Sequence, residues 1–272
     1  MTKKRFAQHW LRSDKILDRI VKSAELLPDD RVLEIGPGTG ILTRQLLPLA
    51  RSVVSVEIDR DLCRNLVKKL GNLENFVLLE GDFLNLDLPT ILAPMSDIFH
   101  RQNKVVANIP YNITGPILEK LLGMIASPNP QPYESIVLLI QKEVADRLCA
   151  QPDSKTFGAL SVRVQYLANC ELICPVPAKA FYPPPKVESA VVRLTPRAIE
   201  NPAKDPKFLD RIVRQGFANK RKMLRNNLKD TIDSDRLSEI LEQLEIDPQV
   251  RAENLSVANW ISLSDRLLET VQ

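Results

Sequence analysis

The strongest constraint on this chain is an alternation of short apolar runs with stretches of helical spacing. The runs are Arg31-Val-Leu-Glu-Ile35, Ser52-Val-Val-Ser-Val56, Asn75-Phe-Val-Leu-Leu79, Lys104-Val-Val-Ala-Asn108 and Ser135-Ile-Val-Leu-Leu-Ile140. Helical spacing follows from Ile41 to Leu49, from Asp61 to Leu70 and from Pro116 to Ile125. Strands that are apolar on both faces are buried on both faces, and strands separated by helices pair in parallel through crossover connections. The expected fold class is therefore α/β, a mainly parallel sheet with helices on both faces. Ligands of such sheets sit beyond the carboxyl ends of the strands. Gly36-Pro-Gly-Thr-Gly40, Glu57, Asp82 and Asn108 all fall at such ends.

The pattern changes after Phe181-Tyr-Pro-Pro-Pro-Lys-Val-Glu-Ser189, a proline-stiffened loop, and the strand Ala190-Val-Val-Arg-Leu194. Helices are expected over Phe208–Phe217, Lys220–Leu228, Ser234–Leu244 and Val257–Val271. This gives two expected domains: a catalytic one over residues 1–198 and a small helical one over residues 199–272.

With 272 residues, 44% of them hydrophobic, the chain can bury a core, which excludes intrinsic disorder. It has no run of eighteen apolar residues for a membrane span. Met1-Thr2-Lys3-Lys4-Arg5 leads into Gln8, His9, Arg12 and Asp14 rather than an apolar signal core, so the expected location is the cytoplasm. Cys63, Cys149, Cys170 and Cys174 are too few for a disulfide framework, and with only His9 and His100 beside them no metal site is expected. They are read as reduced thiols. No heptad run asks for association, and a monomer is expected.

Net charge is only +3, but it is unevenly placed. Lys220, Arg221, Lys222, Arg225 and Lys229 follow one another without an acid, whereas nine acids and three arginines occupy Thr231 to Gln272. A second basic cluster, Lys3-Lys4-Arg5 with Arg12, opens the chain. Basic patches on a nearly neutral protein fit a polyanionic partner, although either patch alone is also an ordinary solvated face. Lys220, Arg221, Lys222 and Arg225 are the candidate RNA-binding residues, on a helix that turns Met223 and Leu224 to the core.

The glycines of Gly36-Pro-Gly-Thr-Gly40 allow a tight turn and close approach of a ligand to the backbone, though glycines after strands also serve merely as turns. Glu57, at the end of the following strand, can accept the two ribose hydroxyls of an adenine nucleoside. Nicotinamide dinucleotides and S-adenosylmethionine both fit these two features. Asp82 can accept from an adenine amino group. Asn108-Ile-Pro-Tyr111 separates the possibilities. The Asn108 side-chain oxygen and the Ile109 carbonyl are two acceptors for the two N–H bonds of an adenine amine. Holding both localises a lone pair otherwise delocalised into the ring and aims it at an activated methyl group. Pro110 stiffens the backbone, and Tyr111 offers a face for an extruded base.

These motifs occur in one order with Phe6-Ala-Gln-His-Trp-Leu11, Glu34-Ile-Gly-Pro-Gly-Thr-Gly40 and Phe217-Ala-Asn-Lys-Arg-Lys-Met-Leu-Arg-Asn-Asn227. The whole resembles the ribosomal RNA adenine dimethyltransferase family, in particular its bacterial small-subunit branch, over nearly the full chain. The resemblance implies a Rossmann-like S-adenosylmethionine-dependent methyltransferase fold with a helical C-terminal domain. It implies cofactor contacts at His9, Leu11, Gly36, Glu57, Asp82 and Asn108, where His9 replaces the family's usual asparagine. It also implies a catalytic stretch Asn108, Ile109, Pro110 and Tyr111, with Phe181 sandwiching the target base against Tyr111. The implied substrate is two adjacent adenosines in the 3′-terminal hairpin loop of 16S rRNA, dimethylated at N6 within an immature small ribosomal subunit. The alternatives are a large-subunit rRNA adenine methyltransferase, a non-catalytic assembly or nucleic-acid-binding factor, and a nicotinamide-dependent oxidoreductase that would leave Asn108–Tyr111 unexplained.

Overall fold

The computed structural model describes residues 9–198 and 200–271. The cluster Lys3-Lys4-Arg5 and the Phe6–Gln8 part of the N-terminal motif lie outside them. The described residues pack as two compact units, one up to Leu121 with Gln131–Ala145 and Glu171–Pro196, the other of Leu122–Pro130, Asp146–Cys170 and the chain from Arg197 onward.

The first unit is built on a sheet of β1 (Arg31–Ile35), β2 (Ser52–Glu57), β3 (Phe76–Glu80), β4 (Lys104–Asn108), β5 (Ser135–Gln141), β6 (Ala168–Val176) and β7 (Ser189–Pro196), in the order β3-β2-β1-β4-β5-β7-β6. The first five are parallel to their neighbours, and β7 runs antiparallel to β5, with Ala190 opposite Ile140. Val32, Leu33, Val53, Val54, Val105, Val106 and Ile136 through Ile140 are fully enclosed, as continuous apolar runs require. The expected mainly parallel α/β sheet is the observed one. Strand β6 buries only Ala168, Cys174 and Val176 and leaves Asn169, Glu171, Leu172 and Pro175 exposed, so it lacks the buried apolar run that marks the others.

Around this sheet lie α1 (Asp14–Ser23), α2 (Thr43–Leu46), α3 (Arg60–Leu70), α4 (Leu88–Leu92) and α5 (Thr114–Leu122). Lys104 explains how a charge opens the buried strand β4. Its ammonium donates to the Ala24 and Glu25 carbonyls just past α1, at 3.1 and 2.5 Å, and pairs with Asp30 at 2.9 Å. Burial alone pushes the Asp30 carboxyl up, but hydrogen bonds from the Leu27 N–H, Lys104 and Asn103 leave it below its ordinary range.

Three expected helices are corrected. Ile41–Leu49 contains only the single turn of α2, flanked by further turns. Helix α5 stops before the expected Ile125, because Gly123 takes a positive φ of 80° in a turn where any Cβ would strike the backbone of Ser127 and Asn129.

The third lies in the second unit, which holds α7 (Ala159–Leu167), α8 (Pro206–Gly216), α9 (Leu224–Asn227), α10 (Ser234–Gln243) and α11 (Val257–Val271), α6 (Lys142–Leu148) preceding them across the division. Of the expected helix Lys220–Leu228 only α9 forms. The Leu224 N–H donates to the Val250 carbonyl at 2.8 Å, which takes it away from Lys220, so Lys220, Arg221 and Lys222 lie in turns. Asp205 caps α8 by accepting from the Lys207 and Phe208 N–H groups, and Pro206 opens the helix without wasting a donor. At the other end of α8, Gly216 admits Trp260, whose ring a Cβ there would approach to 2.4 Å. Phe217 then packs its ring 5.7 Å from that of Trp260.

Candidate active site

The site grows from the carboxyl ends of β1, β2, β3 and β4, on both sides of β1, where the strand order reverses. Beyond β1 the chain passes through Gly36, Gly38 and Gly40 with φ of 70°, 58° and 77°, a region closed to most side chains. The Gly36 N–H extends the ladder to the Val56 carbonyl at 2.9 Å, and the Gly40 N–H closes the turn on Pro37 at 2.9 Å. Trp10 lies on this turn so closely that a Cβ on Gly38 would come within 2.4 Å of its ring. A Cβ on Gly36 would sit 3.6 Å from the Asn108 carbonyl oxygen. The glycine turn after β1 and the Asn-Ile-Pro-Tyr segment after β4 are thus immediate neighbours.

Glu57 ends β2 as a buried carboxylate. One oxygen accepts the Gly38 N–H at 3.0 Å and the other the Asp59 N–H at 2.9 Å. Burial pushes its pKa up, and these backbone donors draw it partly back. Each oxygen keeps a lone pair for a further donor. Asp82 follows β3, and its two oxygens accept the Leu84 N–H at 3.0 Å and the Asn85 amide at 2.8 Å. The Gly81 N–H donates to the Glu57 carbonyl at 2.8 Å and ties the two acidic corners together.

Asn108 is the last residue of β4, opposite Leu139. Its side-chain amide has no partner among the described residues and is half-buried. The Ile109 N–H is anchored on the Leu139 carbonyl at 3.3 Å while its side chain is enclosed. Pro110 is extended, with ψ 134°. Tyr111 is half-buried, and its hydroxyl lies 2.5 Å from Ser189 Oγ. Burial pushes that phenol above its ordinary pKa, so it remains neutral across the physiological range.

The N-terminal segment completes this corner. Leu11 pairs with Phe181 and Trp10 with Tyr182 in a two-residue antiparallel ladder. The His9 ring stacks against that of Tyr111, 6.4 Å between centroids and 19° between planes, and its Nδ1–H donates to the Pro183 carbonyl at 2.7 Å. Phe181 is 4% exposed and belongs to the core, whereas Tyr182 is 56% exposed with the Arg12 guanidinium 4.0 Å from its ring centre. The open aromatic face of this loop is that of Tyr182. Lys220, Arg221 and Lys222, in the second unit, are exposed, and Arg225 on α9 is half-buried.

Two features of the site were not singled out from the sequence. Glu34, in the interior of β1, is enclosed. One oxygen accepts from the Thr43 and Ser55 hydroxyls at 2.7 and 2.6 Å, and the other has no partner among the described residues. Burial pushes its pKa up to about 7. A carboxylate inside an apolar run two residues before the first glycine was the available sign. Ile58, directly after Glu57, is 47% exposed, an apolar side chain left open beside that buried carboxylate. The described residues contain no group of three or more His, Cys, Asp or Glu side chains able to hold a metal ion.

Residues 1–269 match the family described as ribosomal RNA adenine dimethylase. The chain is 66% identical over 262 residues to ribosomal RNA small subunit methyltransferase A of Trichormus variabilis, covering 96% of each. It is 65% identical over 271 residues to the protein of the same name from Nostoc punctiforme, covering 97% of this chain and 94% of that one. Among solved structures it is similar to a dimethyladenosine transferase from Plasmodium falciparum, with a TM-score of 0.76, 27% identity and 94% and 96% of the two chains covered. It is also similar to the 23S rRNA methyltransferase ErmE, with a TM-score of 0.73, 29% identity and 95% and 99% covered.

Proposed function

The chain belongs to the ribosomal RNA adenine dimethylase family, and on that premise we propose how its residues carry out the reaction and where. It is an S-adenosylmethionine-dependent methyltransferase that dimethylates adenine N6 in small-subunit ribosomal RNA. The large-subunit alternative is not favoured: the small-subunit relatives reach 66% identity and the 23S enzyme 29%.

The residues present fit the cofactor. The glycine turn leaves room for close approach, Glu57 keeps lone pairs for two ribose hydroxyls, and Asp82 keeps one for an adenine amine. His9 and Leu11 bring the N-terminal segment over the same corner. When bound, S-adenosylmethionine supplies a methyl group on a positively charged sulfur.

The chain's own part is to hold and aim the amine. Asn108 Oδ1 and the Ile109 carbonyl accept its two N–H bonds, which localises the nitrogen lone pair and turns it toward the Gly36 side of the cleft. No base is needed beforehand, because the proton leaves after the nitrogen–carbon bond has formed, from an ammonium far more acidic than the amine. In the second round one N–H remains, and one of the two acceptors suffices to orient it. Tyr111 provides the stacking face for the extruded base, steadied by Ser189 and His9, and Phe181 backs this wall through its pairing with Leu11. Lys220, Arg221 and Lys222, exposed in turns, and the half-buried Arg225 on a short helix hold phosphates.

The substrate we assign is the pair of adjacent adenosines in the 3′-terminal hairpin loop, presented by an immature small subunit in the cytoplasm to a monomeric enzyme. Residues 1–198 carry the chemistry and residues 199–272 the RNA. The observation that carries this reading is the adjacency of the glycine turn to the Asn108 carbonyl, which puts an amine-holding segment beside a nucleoside-binding turn. Methyl-labelled S-adenosylmethionine with undermethylated small subunits and, separately, with large subunits, each followed by nucleoside analysis, tests it. Labelled dimethyladenosine at the two hairpin positions is expected. Label confined to large-subunit RNA, or to another nucleoside, overturns it.

A further inference from the structure

Helix α5 starts three residues after the Asn108–Tyr111 segment and carries Lys120 two turns further on. An ammonium has three N–H donors. Those of Lys120 reach the carbonyls of Phe83, Leu84 and Leu86 at 2.6, 3.1 and 2.7 Å. The same Nζ lies 4.9 Å from the centre of the Phe83 ring. All three carbonyls belong to the loop between β3 and α4, the loop that opens with Gly81-Asp82. From within, that loop is closed by the Asp82 carboxylate on Leu84 and Asn85, and by the Asn85 and Leu86 N–H groups on the Asp82 carbonyl at 2.9 and 3.2 Å. Its inward-turned carbonyls would repel one another without a cation among them.

We propose that Lys120 is a positioning residue for the cofactor's adenine: by gathering three carbonyls of the 82–87 loop, it sets the direction in which Asp82 presents its carboxylate. This rests on the assignment of Asp82 as the adenine acceptor. Because α5 grows directly out of the Asn-Ile-Pro-Tyr segment, the lysine also references the adenine end of the site to the segment that holds the target amine. Burial lowers the pKa of Lys120, and the charges of Asp82 and Asp87 draw it back up, so the loop's own acids help keep its clamp charged. A neutral side chain of the same length leaves three carbonyls facing apolar stem, and the loop must turn at least one of them outward.

The full-length enzyme tests this by binding of S-adenosylhomocysteine and of its inosine analogue, which lacks the amine that Asp82 accepts, together with steady-state kinetics. Wild type is expected to prefer the adenine ligand, and Asp82→Ala to lose that preference. Lys120→Met is expected to lose it as well, with KM for S-adenosylmethionine raised about tenfold, kcat within about twofold and affinity for small subunits unchanged. Lys120→Arg keeps charge and reach but spreads its donors in a plane, so a partial loss is expected there. It replaces Lys120→Met should the latter not fold. An unchanged preference in Asp82→Ala overturns the adenine-acceptor assignment and this proposal with it. A lost preference in Asp82→Ala beside an intact one in the folded Lys120 variant overturns the role of Lys120 alone.

Discussion

The corner around Gly36 and Asn108 and the basic segment from Lys220 to Arg225, the two regions proposed to meet the RNA, are made in opposite ways. At the first, positions are held from several sides: Gly36 by the β2 ladder, Glu57 by two backbone donors, Ile109 by Leu139, Tyr111 by Ser189 and His9. At the second, Lys220, Arg221 and Lys222 extend into solvent from turns. Orienting an amine within a fraction of an ångström needs fixed acceptors, whereas holding phosphates needs only charge of the right sign at roughly the right place. Chemistry is therefore concentrated in single side chains and attraction is spread over many.

The sharpest way to break that contrast is Asn108→Ala. Removing one of two preorganised acceptors is expected to lower kcat by about 10³. Affinity for S-adenosylhomocysteine and for small subunits should stay within a few-fold. Single-turnover methylation beside the two binding measurements separates these. Near-wild-type turnover would remove the amine-holding role.

Glu34 tests how rigid the first region is. Burial raises its pKa from an ordinary 4.5 to about 7, so between those values the native state holds a proton that the unfolded chain has released. The stability this represents is fully present below about 4.5 and is lost as pH rises through about 7, roughly 3 kcal/mol in all. Glu34→Gln keeps an acceptor for Thr43 and Ser55 but cannot ionise. Urea melts of the unliganded protein at pH 5 and pH 8 should show a smaller difference than in wild type, with the variant the more stable at pH 8. Equal pH dependence in the two proteins would mean that Glu34 is solvated.

For the basic segment, Lys220→Ala, Arg221→Ala and Lys222→Ala are best combined. Each phosphate neutralised contributes roughly 0.7 to the slope of log affinity against log salt, so the triple variant should flatten the slope by about 2. Extrapolated from molar salt, where charge counts for little, that is about 100-fold weaker binding near 0.1 M. The kcat at saturating subunits should be unchanged. A fall in kcat would mean that these residues also orient the RNA.

How much of this was legible follows the same contrast. Strand ends carrying Gly36, Glu57, Asp82 and Asn108 could be placed from periodicity, because apolar runs and the residues closing them are local in sequence. The basic turn was read as helix because its spacing allows one. Only the bond from Leu224 to Val250, between residues 26 apart, ends it early. Strand β6 went unread because only Ala168, Cys174 and Val176 of its nine residues are buried, too few to form an apolar run. Lys120 could not be found either: a lysine near the end of a helix looks solvated until the loop whose carbonyls it gathers is in place.

The smallest expected effect decides what Tyr111 contributes. Tyr111→Phe keeps the ring face and its stack with His9 but removes the hydroxyl bonded to Ser189. If the ring serves as a stacking face, kcat should change by less than about threefold, while the lost hydrogen bond lowers stability by about 1 kcal/mol. If the phenol instead moves a proton during transfer, kcat should fall by about 10² or more, and the alkaline limb of its pH profile should vanish. A phenol whose pKa burial has raised above its ordinary value is a poor proton acceptor near neutrality. The stacking outcome is therefore the one its surroundings favour, and it would place Tyr111 with the surfaces that shape the site, leaving Asn108 and the Ile109 carbonyl as the groups that act on the reacting nitrogen.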